Sequence, residues 1–132
     1  MPSESLVPGL TGRAETLVKP GNLATDLCSG TVGVFATPAL VGLMESAAVA
    51  AVEPHLLPGE TTVGTVVNVR HLAATPPGME VWAEAVLREV EGRRMLFDVS
   101  AYDEREKIGE GVHERFVILR ERFMAKALGK GA

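Results

Sequence analysis

Phe35-Ala-Thr-Pro-Ala-Leu-Val-Gly-Leu-Met-Glu-Ser-Ala-Ala-Val-Ala-Ala-Val52 carries a single charge, that of Glu45. This run predicts one helix that begins at Thr37 and Pro38, because threonine is a good N-cap and proline suits the first helical position. Pro54 ends it. A helix that is apolar on every side is buried. We therefore expect a buried Glu45 that needs a partner, since an unpaired buried carboxylate is costly.

Apolar residues alternate with polar ones in the sequence before and after this helix, and this pattern predicts strands. One short strand is predicted before the helix, at residues 11–18, and four longer strands after it, at residues 61–75, 79–91, 94–102 and 107–120. A helix followed by a four-strand meander buries its surface best when the sheet wraps around it. The sequence therefore predicts an α+β fold, with residues 1–132 as a single domain.

The first strand after the helix carries a histidine on its apolar face. Period-two alternation places His71 on the same face as three valines, Val63, Val67 and Val69. This face would point towards the helix that carries Glu45. The histidine could instead be an ordinary, hydrogen-bonded residue of the core.

Three polar groups converge in this prediction, namely Thr37, Glu45 and His71. Each has a structural alternative: an N-cap, a structural carboxylate and a core histidine. Together they suggest a nucleophile or water-orienting group, a carboxylate and a base. Thr37 precedes Glu45 by eight residues, which is roughly 12 Å along a helix axis. The two cannot touch within one helix, so either a histidine lies between them or a second subunit supplies one member.

The segment that follows His71 is a second candidate. Thr75-Pro76-Pro77-Gly78 predicts a rigid turn that ends in glycine. Glycine lets a ligand approach the backbone, and the Gly78 N–H could polarise a carbonyl. A simple turn is the favoured alternative from these residues alone.

Composition excludes several functional classes. The net charge is −4, 46% of the residues are hydrophobic and 23% charged, as expected for a globular protein. Scattered basic residues and few aromatics argue against nucleic-acid binding, although a local basic patch could still bind a phosphate-bearing ligand. The three histidines have no cysteine partners at zinc-site spacing, so no metal site is expected.

The predicted location is the cytoplasm. Cys28 is the single cysteine, so no internal disulfide can form and a reducing compartment is favoured. No apolar run is long enough to span a membrane, because Glu45 and Glu53 interrupt the longest one. We therefore expect no membrane partner.

Four segments resemble the fluoroacetyl-CoA thioesterase family of hot-dog-fold proteins. They are residues 35–45, 69–78, 90–94 and 111–115. The spacing between them agrees with the family from about residue 17 to residue 126. The Val-Gly-Leu-Met-Glu run and the His-x-x-Ala-Thr-Pro-Pro-Gly run are specific, whereas the hairpin turn at residues 90–94 is not.

The resemblance implies a long helix wrapped by an antiparallel sheet, paired into a homodimer, or further into a tetramer, with active sites at the subunit interface. It implies hydrolysis of an acyl-CoA thioester by a Thr-Glu-His set, which Thr37, Glu45 and His71 match in type and order. Gly78 matches a glycine that lines the acyl pocket. Arg115 matches a basic position in the last strand, with a structural or a ligand-holding role. Coenzyme A enters as part of the substrate, and no separate cofactor is implied.

One departure from the family affects the expected substrate. Members specialised for fluoroacetyl-CoA carry a phenylalanine lid in the loop before the helix, but residues 23–34 contain no aromatic side chain. We therefore expect a thioesterase for short acyl groups without a strong preference for fluoroacetyl-CoA. The alternative from another class is a non-catalytic dimer that binds CoA or an acyl-CoA. A hydratase that uses His71 and Glu45 on an enoyl thioester ranks last, because the surrounding motifs differ.

Overall fold

The computed structural model describes residues 4–131. Its elements are, in chain order, β1 (Thr11–Leu17), α1 (Thr37–Val52), a 3-10 turn (Glu53–His55), β2 (Glu60–His71), β3 (Glu80–Glu91), β4 (Arg94–Asp103), β5 (Lys107–Leu119) and α2 (Arg120–Gly129). All predicted strands and the predicted helix are present. The strand predicted to reach Thr75 ends at His71. The α+β class is confirmed.

The five strands form one antiparallel sheet in the order β1-β3-β4-β5-β2. The predicted meander is wrong in one respect, because β2 does not pair with β3. It crosses to the far side and pairs with β5, with Glu60 opposite Leu119 and His71 opposite Gly109. As a result β2 lies at an edge of the sheet, and this edge position becomes important for the site.

The inward faces predicted for β3 and β4 are confirmed. Their eight alternating residues are all buried: Val81, Ala83, Ala85, Leu87, Met95, Phe97, Val99 and Ala101. They join the buried side of α1 in one core. The small alanines on β3 leave room for the helix to lie close to the sheet.

One side of α1 remains open, so the expectation that Glu45 is buried is wrong. The helix buries seven residues: Leu40, Leu43, Met44, Ala47, Ala48, Ala51 and Val52. The Glu45 side chain retains 40% of its accessible surface, because the sheet covers only one side of the helix. Within residues 4–131 no helix, α1 included, is both long and apolar enough to cross a membrane.

The α1 helix lies very close to the sheet at Gly12 on β1. A Cβ at this position would collide with the backbone oxygen of Ala47 and the backbone nitrogen of Ala51. Neither backbone group can move without opening the core. Glycine therefore sets the distance between β1 and α1, which in turn fixes the position of the helix over the sheet.

A β-bulge in β2 changes which residues of this strand face inward, so the inward face predicted from simple alternation is wrong in part. The register with β5 shifts between Gly64 and Val66, so Thr65 is an extra residue. Before the bulge the inward residues are even-numbered, as the burial of Thr62 shows, and after it they are odd-numbered. Val63 therefore does not share a face with His71, contrary to the expectation from simple alternation.

Candidate active site

The start of α1 differs from the prediction in its capping. Ala36 is the N-cap residue, no side chain caps the helix, and Thr37 and Pro38 are the first two helical residues. The prediction that Thr37 is the N-cap is wrong. Its side chain points instead to β2, which leaves the hydroxyl available for the site.

Backbone hydrogen bonds from neighbouring loops hold this helix start in place. Phe35 N–H donates to the Thr75 carbonyl at 2.9 Å, and Ala36 N–H donates to the Asn22 carbonyl at 2.9 Å. The hydroxyl of fully buried Thr75 donates in turn to Asp103 Oδ2 at 2.8 Å. The loop that contains Thr75 and the end of β4 therefore fix the position of Phe35, two residues before Thr37.

The Asp103 carboxylate is suited to this anchoring role. Burial raises its pKa, but hydrogen bonds from the backbone of Arg105 and Glu106 and from Thr75 outweigh burial and hold the pKa below its ordinary value. Asp103 is thus ionised at neutral pH and remains a strong acceptor for Thr75.

Thr37 meets His71 at the end of β2. Thr37 Oγ1 and His71 Nδ1 share a hydrogen bond of 2.8 Å. The distance is within the range expected for a hydroxyl and its base. Thr37 is exposed and His71 is half-buried, so a ligand can reach the pair. The structure therefore brings together two of the three predicted catalytic residues.

The second ring nitrogen of His71 is an unusual feature. Nε2 is buried and has no hydrogen-bond partner within residues 4–131, although buried polar atoms are normally bonded. Burial lowers the pKa of His71, and the nearby backbone of Ala73 offsets this only in part. The imidazole is therefore neutral at pH 7 and one nitrogen can accept a proton.

A pocket of about 370 Å³ opens beside this pair. Its walls come from the loop before α1, from Thr37 and His71, and from the loop after β2: Ala24, Ser29, Gly30, Val32, Val34, Phe35, Leu72, Ala73 and Ala74. Small and aliphatic side chains dominate the lining, with few polar groups. Such a pocket suits a short apolar group with one polar end.

Glu45 lies elsewhere and its partner is Arg115. Arg115 Nη1 donates to Glu45 Oε2 at 3.4 Å. The guanidinium is buried while the carboxylate is partly exposed. Burial lowers the pKa of Arg115, and the Glu45 charge and hydrogen bond raise it. The sequence predicts that Glu45 needs a partner, and in the structure this partner is Arg115. Within one chain it is not His71.

Arg115 is held by further hydrogen bonds that fix the orientation of its guanidinium. Nε donates to Thr62 Oγ1 at 2.9 Å and Nη2 to the Thr62 carbonyl at 3.0 Å. Nη1 lies 3.2 Å from His113 Nε2. Because His113 Nδ1 lies 2.7 Å from the Val66 carbonyl, Nδ1 must carry the proton and Nε2 must accept from Arg115. The tautomer of His113 is therefore defined by its neighbours.

Gly64 makes room for this cluster. A Cβ at Gly64 would lie 2.7 Å from Glu45 Oε2, 3.1 Å from His113 Cε1 and 3.3 Å from Arg115 Nη1. Any other residue would push the carboxylate away from the sheet. The glycine and the bulge that follows it thus let Glu45 lie against β2.

The two groups of residues are separated along α1. Thr37 and Glu45 both lie in the helix, eight residues apart, which corresponds to roughly 12 Å along its axis. One chain therefore brings Thr37 and His71 together without Glu45, which instead joins Arg115. This is the separation expected from the sequence.

Gly78 is placed in the predicted turn, outside the lining of this pocket. Its φ of 99° requires the left-handed conformation that favours glycine. Its N–H donates to the Val18 carbonyl at 2.8 Å, so it is not available to polarise a carbonyl in this chain. The geometry gives Gly78 the role of fixing the turn that holds the Thr75 loop.

Three residues of the Glu45 cluster were not assigned to the site from sequence, namely Thr62, Gly64 and His113. A glycine inside an alternating strand is a signal for a bulge or a close approach, and Gly64 had that signal. Thr62 had none, because the bulge at Thr65 hides which residues of β2 face inward. Within residues 4–131 no group of His, Cys, Asp and Glu side chains could hold a metal ion.

Known proteins match this chain over most of its length. The model of the fluoroacetyl-CoA-specific thioesterase family matches residues 18–121. The fluoroacetyl-CoA thioesterase of Streptantibioticus cattleyicolor is 55% identical over 97 residues, which is 74% of this chain and 70% of that protein. Residues 18–121, which the family model matches, contain both groups of candidate residues.

Solved structures show the same fold. The fluoroacetyl-CoA thioesterase FlK superposes with a TM-score of 0.90 and 43% identity, over 96% of this chain and 98% of FlK. A FlK variant in which a threonine is replaced by serine, solved with acetyl-CoA, has a TM-score of 0.90 and 42% identity over 96% of this chain and 100% of its own. A hypothetical Thermus thermophilus protein of the thioesterase superfamily has a TM-score of 0.87 and 30% identity over 96% of both chains.

The match extends over most of the chain in both sequence and structure. The hot-dog fold that the family resemblance implies is confirmed by these neighbours. The family-model match and the 55% identity show the family as well as the fold. The chain belongs to the fluoroacetyl-CoA-specific thioesterase family of hot-dog-fold thioester hydrolases.

Proposed function

We propose that this protein hydrolyses a short acyl-CoA thioester in the pocket beside Thr37 and His71. The observation that carries the proposal is the 2.8 Å contact between the Thr37 hydroxyl and His71 Nδ1 at a small pocket in a thioesterase chain. In this proposal residues 1–132 form one hot-dog domain that works in the cytoplasm. Coenzyme A is part of the substrate and no separate cofactor takes part.

His71 acts as the general base in this proposal. Its neutral imidazole takes a proton from the water that attacks the thioester or the acyl-enzyme, and this proton balances the thiolate of CoA that leaves. Thr37 orients the thioester carbonyl or the attacking water. Pro38 has no N–H, so the first free backbone donors of α1 are those of Thr37 and Ala39. They can stabilise the oxyanion together with the helix dipole.

Glu45 reaches this site from a second copy of the chain. The edge strand β2 has no charged residue from Thr61 to Val69, and Val66 and Val67 are 47% and 41% exposed. Edge strands that stay monomeric usually carry charges that block pairing. Antiparallel pairing of two β2 strands about these valines would bring His71 of one copy towards Thr62 of the other, where Arg115 holds Glu45. Arg115 then positions the carboxylate that faces the substrate.

The proposed assembly is therefore a homodimer, with a tetramer as a further level. Light scattering at micromolar concentration should give at least twice the 14.0 kDa chain mass. The physical reason is that a long, uncharged edge strand pairs with a second copy of itself. A monomer under these conditions would contradict an active site shared between subunits.

Glu45 then has one of two roles, which isotope labelling separates. It either attacks the thioester and forms an acyl-enzyme, or holds the water that attacks. After a single turnover in ¹⁸O-labelled water, an acid product without ¹⁸O shows the first route, because its new oxygen then comes from the Glu45 carboxylate. If the acid product carries one ¹⁸O, rapid-quench mass spectrometry completes the test, since only the first route gives a covalently acylated chain.

The pH dependence should follow the lowered pKa of His71. Because burial lowers this pKa, the imidazole remains neutral and active until the pH falls below the ordinary histidine value of about 6.5. We expect kcat/KM to be flat through that value and to fall only at lower pH. Thr37→Ser, which keeps the hydroxyl, should retain the profile, whereas Thr37→Val should change it. An acid limb at or above pH 6.5 would contradict the assignment of His71 as a buried base.

Selectivity for fluoroacetyl-CoA should be small. The pocket lining from the loop before α1 has no aromatic apart from Phe35, which is 1% exposed and fixed in the core. A simple pocket distinguishes a single small substituent by about 10–200-fold. We expect the ratio of kcat/KM for fluoroacetyl-CoA to that for acetyl-CoA not to exceed that range. A much larger ratio would mean that another group seals the pocket.

A panel of acyl-CoA thioesters tests the proposed function directly. Release of free CoA thiol from acetyl-CoA, propionyl-CoA and fluoroacetyl-CoA is measured for the wild-type protein and for His71→Asn. The proposal predicts turnover that depends on His71. Binding of CoA without release of thiol from any of these esters would overturn it and would identify a non-catalytic binding dimer.

A further inference from the structure

His113 is a buried histidine to which the proposed hydrolysis gives no role. Its side chain is 1% exposed and lies beside Phe97 of β4, with 6.2 Å between the ring centroids. Nδ1 lies 2.7 Å from the Val66 carbonyl, and Nε2 lies 3.2 Å from Arg115 Nη1. Both ring nitrogens therefore have a partner, and these two partners fix the orientation of the imidazole.

The hydrogen bonds of the Arg115 guanidinium show what this orientation achieves. Nε and Nη2 both donate to Thr62, on its hydroxyl and on its carbonyl. Nη1 has two hydrogens, and its two acceptors are His113 Nε2 at 3.2 Å and Glu45 Oε2 at 3.4 Å. Because the guanidinium is planar, these two hydrogens point in fixed directions. Acceptance of one by His113 leaves the other directed at the Glu45 carboxylate.

His113 also connects Arg115 to the bulge in the edge strand β2. Val66 follows the bulge residue Thr65, and a Cβ at Gly64 would lie 3.1 Å from His113 Cε1. The imidazole therefore lies against the backbone of β2 on both sides of the bulge. In the proposed dimer the same strand pairs with a second copy, so the position of the guanidinium is tied to the strand that brings the two subunits together.

We propose that His113 is a positioning residue, which orients the Arg115 guanidinium and through it the Glu45 carboxylate. This inference rests on the proposed function, since the exact position of Glu45 matters for hydrolysis only if Glu45 takes part in it. The imidazole must be neutral for this role, with its proton on Nδ1. A protonated ring would turn an N–H of Nε2 towards Nη1 and bring two cations into contact.

The surroundings of His113 favour the neutral ring. Burial lowers the pKa of His113, the backbone hydrogen bond raises it, the Arg115 charge lowers it and the Glu45 charge raises it, and the net direction is downward. The residues opposite it on β2 and β4, Val67 and Phe97, are uncharged. The ring is therefore neutral above the ordinary histidine value of about 6.5 and can accept from Arg115.

Two substitutions of His113 separate positioning from packing. Asparagine ends near the place of Nδ1, so His113→Asn keeps a donor for the Val66 carbonyl and removes the acceptor for Arg115. Glutamine is longer and ends near the place of Nε2, so His113→Gln keeps the acceptor for Arg115 and removes the donor. Each variant loses one buried hydrogen bond. The two should therefore be destabilised similarly, and each is the control for the other.

The rates of acetyl-CoA hydrolysis should differ between these variants. His113→Asn should lower kcat by about tenfold or more with KM little changed, because displacement of a catalytic group costs that much, whereas His113→Gln should retain most of kcat. In a Glu45→Gln background, His113→Asn should have little further effect, since it acts through that carboxylate. Equal losses of kcat in the two variants, unchanged kcat in His113→Asn, or a full tenfold loss in the Glu45→Gln background would overturn the inference and leave the proposed function standing.

The wild-type protein gives a further readout that needs no variant. In ¹⁵N NMR the His113 ring should stay neutral, with its proton on Nδ1, at every pH at which kcat is retained. A charged ring, or a proton on Nε2, in the fully active protein would contradict the inference even if neither variant folds. Absence of acyl-CoA hydrolysis in the wild type would instead overturn the proposed function, and this inference with it.

Discussion

Glu45→Gln should lower kcat/KM for acetyl-CoA by about a thousandfold or more while the protein keeps its fold. Glutamine has nearly the same shape and can still accept a hydrogen bond from Arg115, but it has no negative charge and is a poor nucleophile and base. Loss of a group that acts in the transition state lowers kcat with little change in KM. The loss of stability should be smaller than for replacement of Arg115, because the carboxylate is 40% exposed and glutamine keeps an oxygen that accepts the hydrogen bond.

Glu53→Gln is the matched control for this variant. Glu53 follows the last residue of α1 and also acts on the charge of Arg115, but it lies a further eight residues from Thr37. The control should retain activity. Unchanged turnover in Glu45→Gln would reject the catalytic role of Glu45, and an equal loss in Glu53→Gln would show that general charge matters more than position.

Arg115→Met should have the largest effect on stability, a loss of about 2–4 kcal/mol. Methionine fills similar space but leaves the Thr62 carbonyl and His113 Nε2 without their donor, and each buried unsatisfied group costs about 1–3 kcal/mol. Arg115→Lys should recover only part of this loss, because one ammonium cannot reproduce the planar fork that bonds Thr62, His113 and Glu45 together.

Chemical denaturation measures this effect, with Arg94→Met as the matched control. Arg94 lies on the adjacent strand, is 31% exposed and pairs with Glu114 at 2.7 Å. Replacing it should destabilise the protein much less than replacing Arg115, as for other partly exposed ion pairs. Equal losses for the two variants would contradict the view that Arg115 is held by buried hydrogen bonds.

Much of the fold could be predicted from the sequence because its signals are local. The apolar run with Pro38 and Pro54 predicts α1, and the alternation in β3 and β4 predicts their buried faces correctly. The crossing of β2 to β5 could not be predicted, since strand order depends on contacts between distant residues. The bulge at Thr65 was also missed, and it reverses the face of every earlier residue in β2.

For the site, the types of residue could be predicted but their contacts only in part. The contact of Thr37 with His71 is present, although the reasoning that made Thr37 an N-cap was wrong. Glu45 was expected to be buried because its helix is apolar. That inference fails because the sheet covers only one side of α1. In a single chain the other side stays exposed, although it is also apolar. The partner of Glu45, Arg115, lies seventy positions away and no local pattern links the two.

The central claim is that Thr37 and His71 of one subunit work with Glu45 of another. Mixing refolded Thr37→Ala and Glu45→Gln chains in equal amounts tests it most directly. In a shared site, each mixed dimer has one intact set and one doubly altered set, so about a quarter of the wild-type activity should return at statistical pairing. If each site were built from one chain, every site would carry a substitution, and the mixture would stay as inactive as its two components.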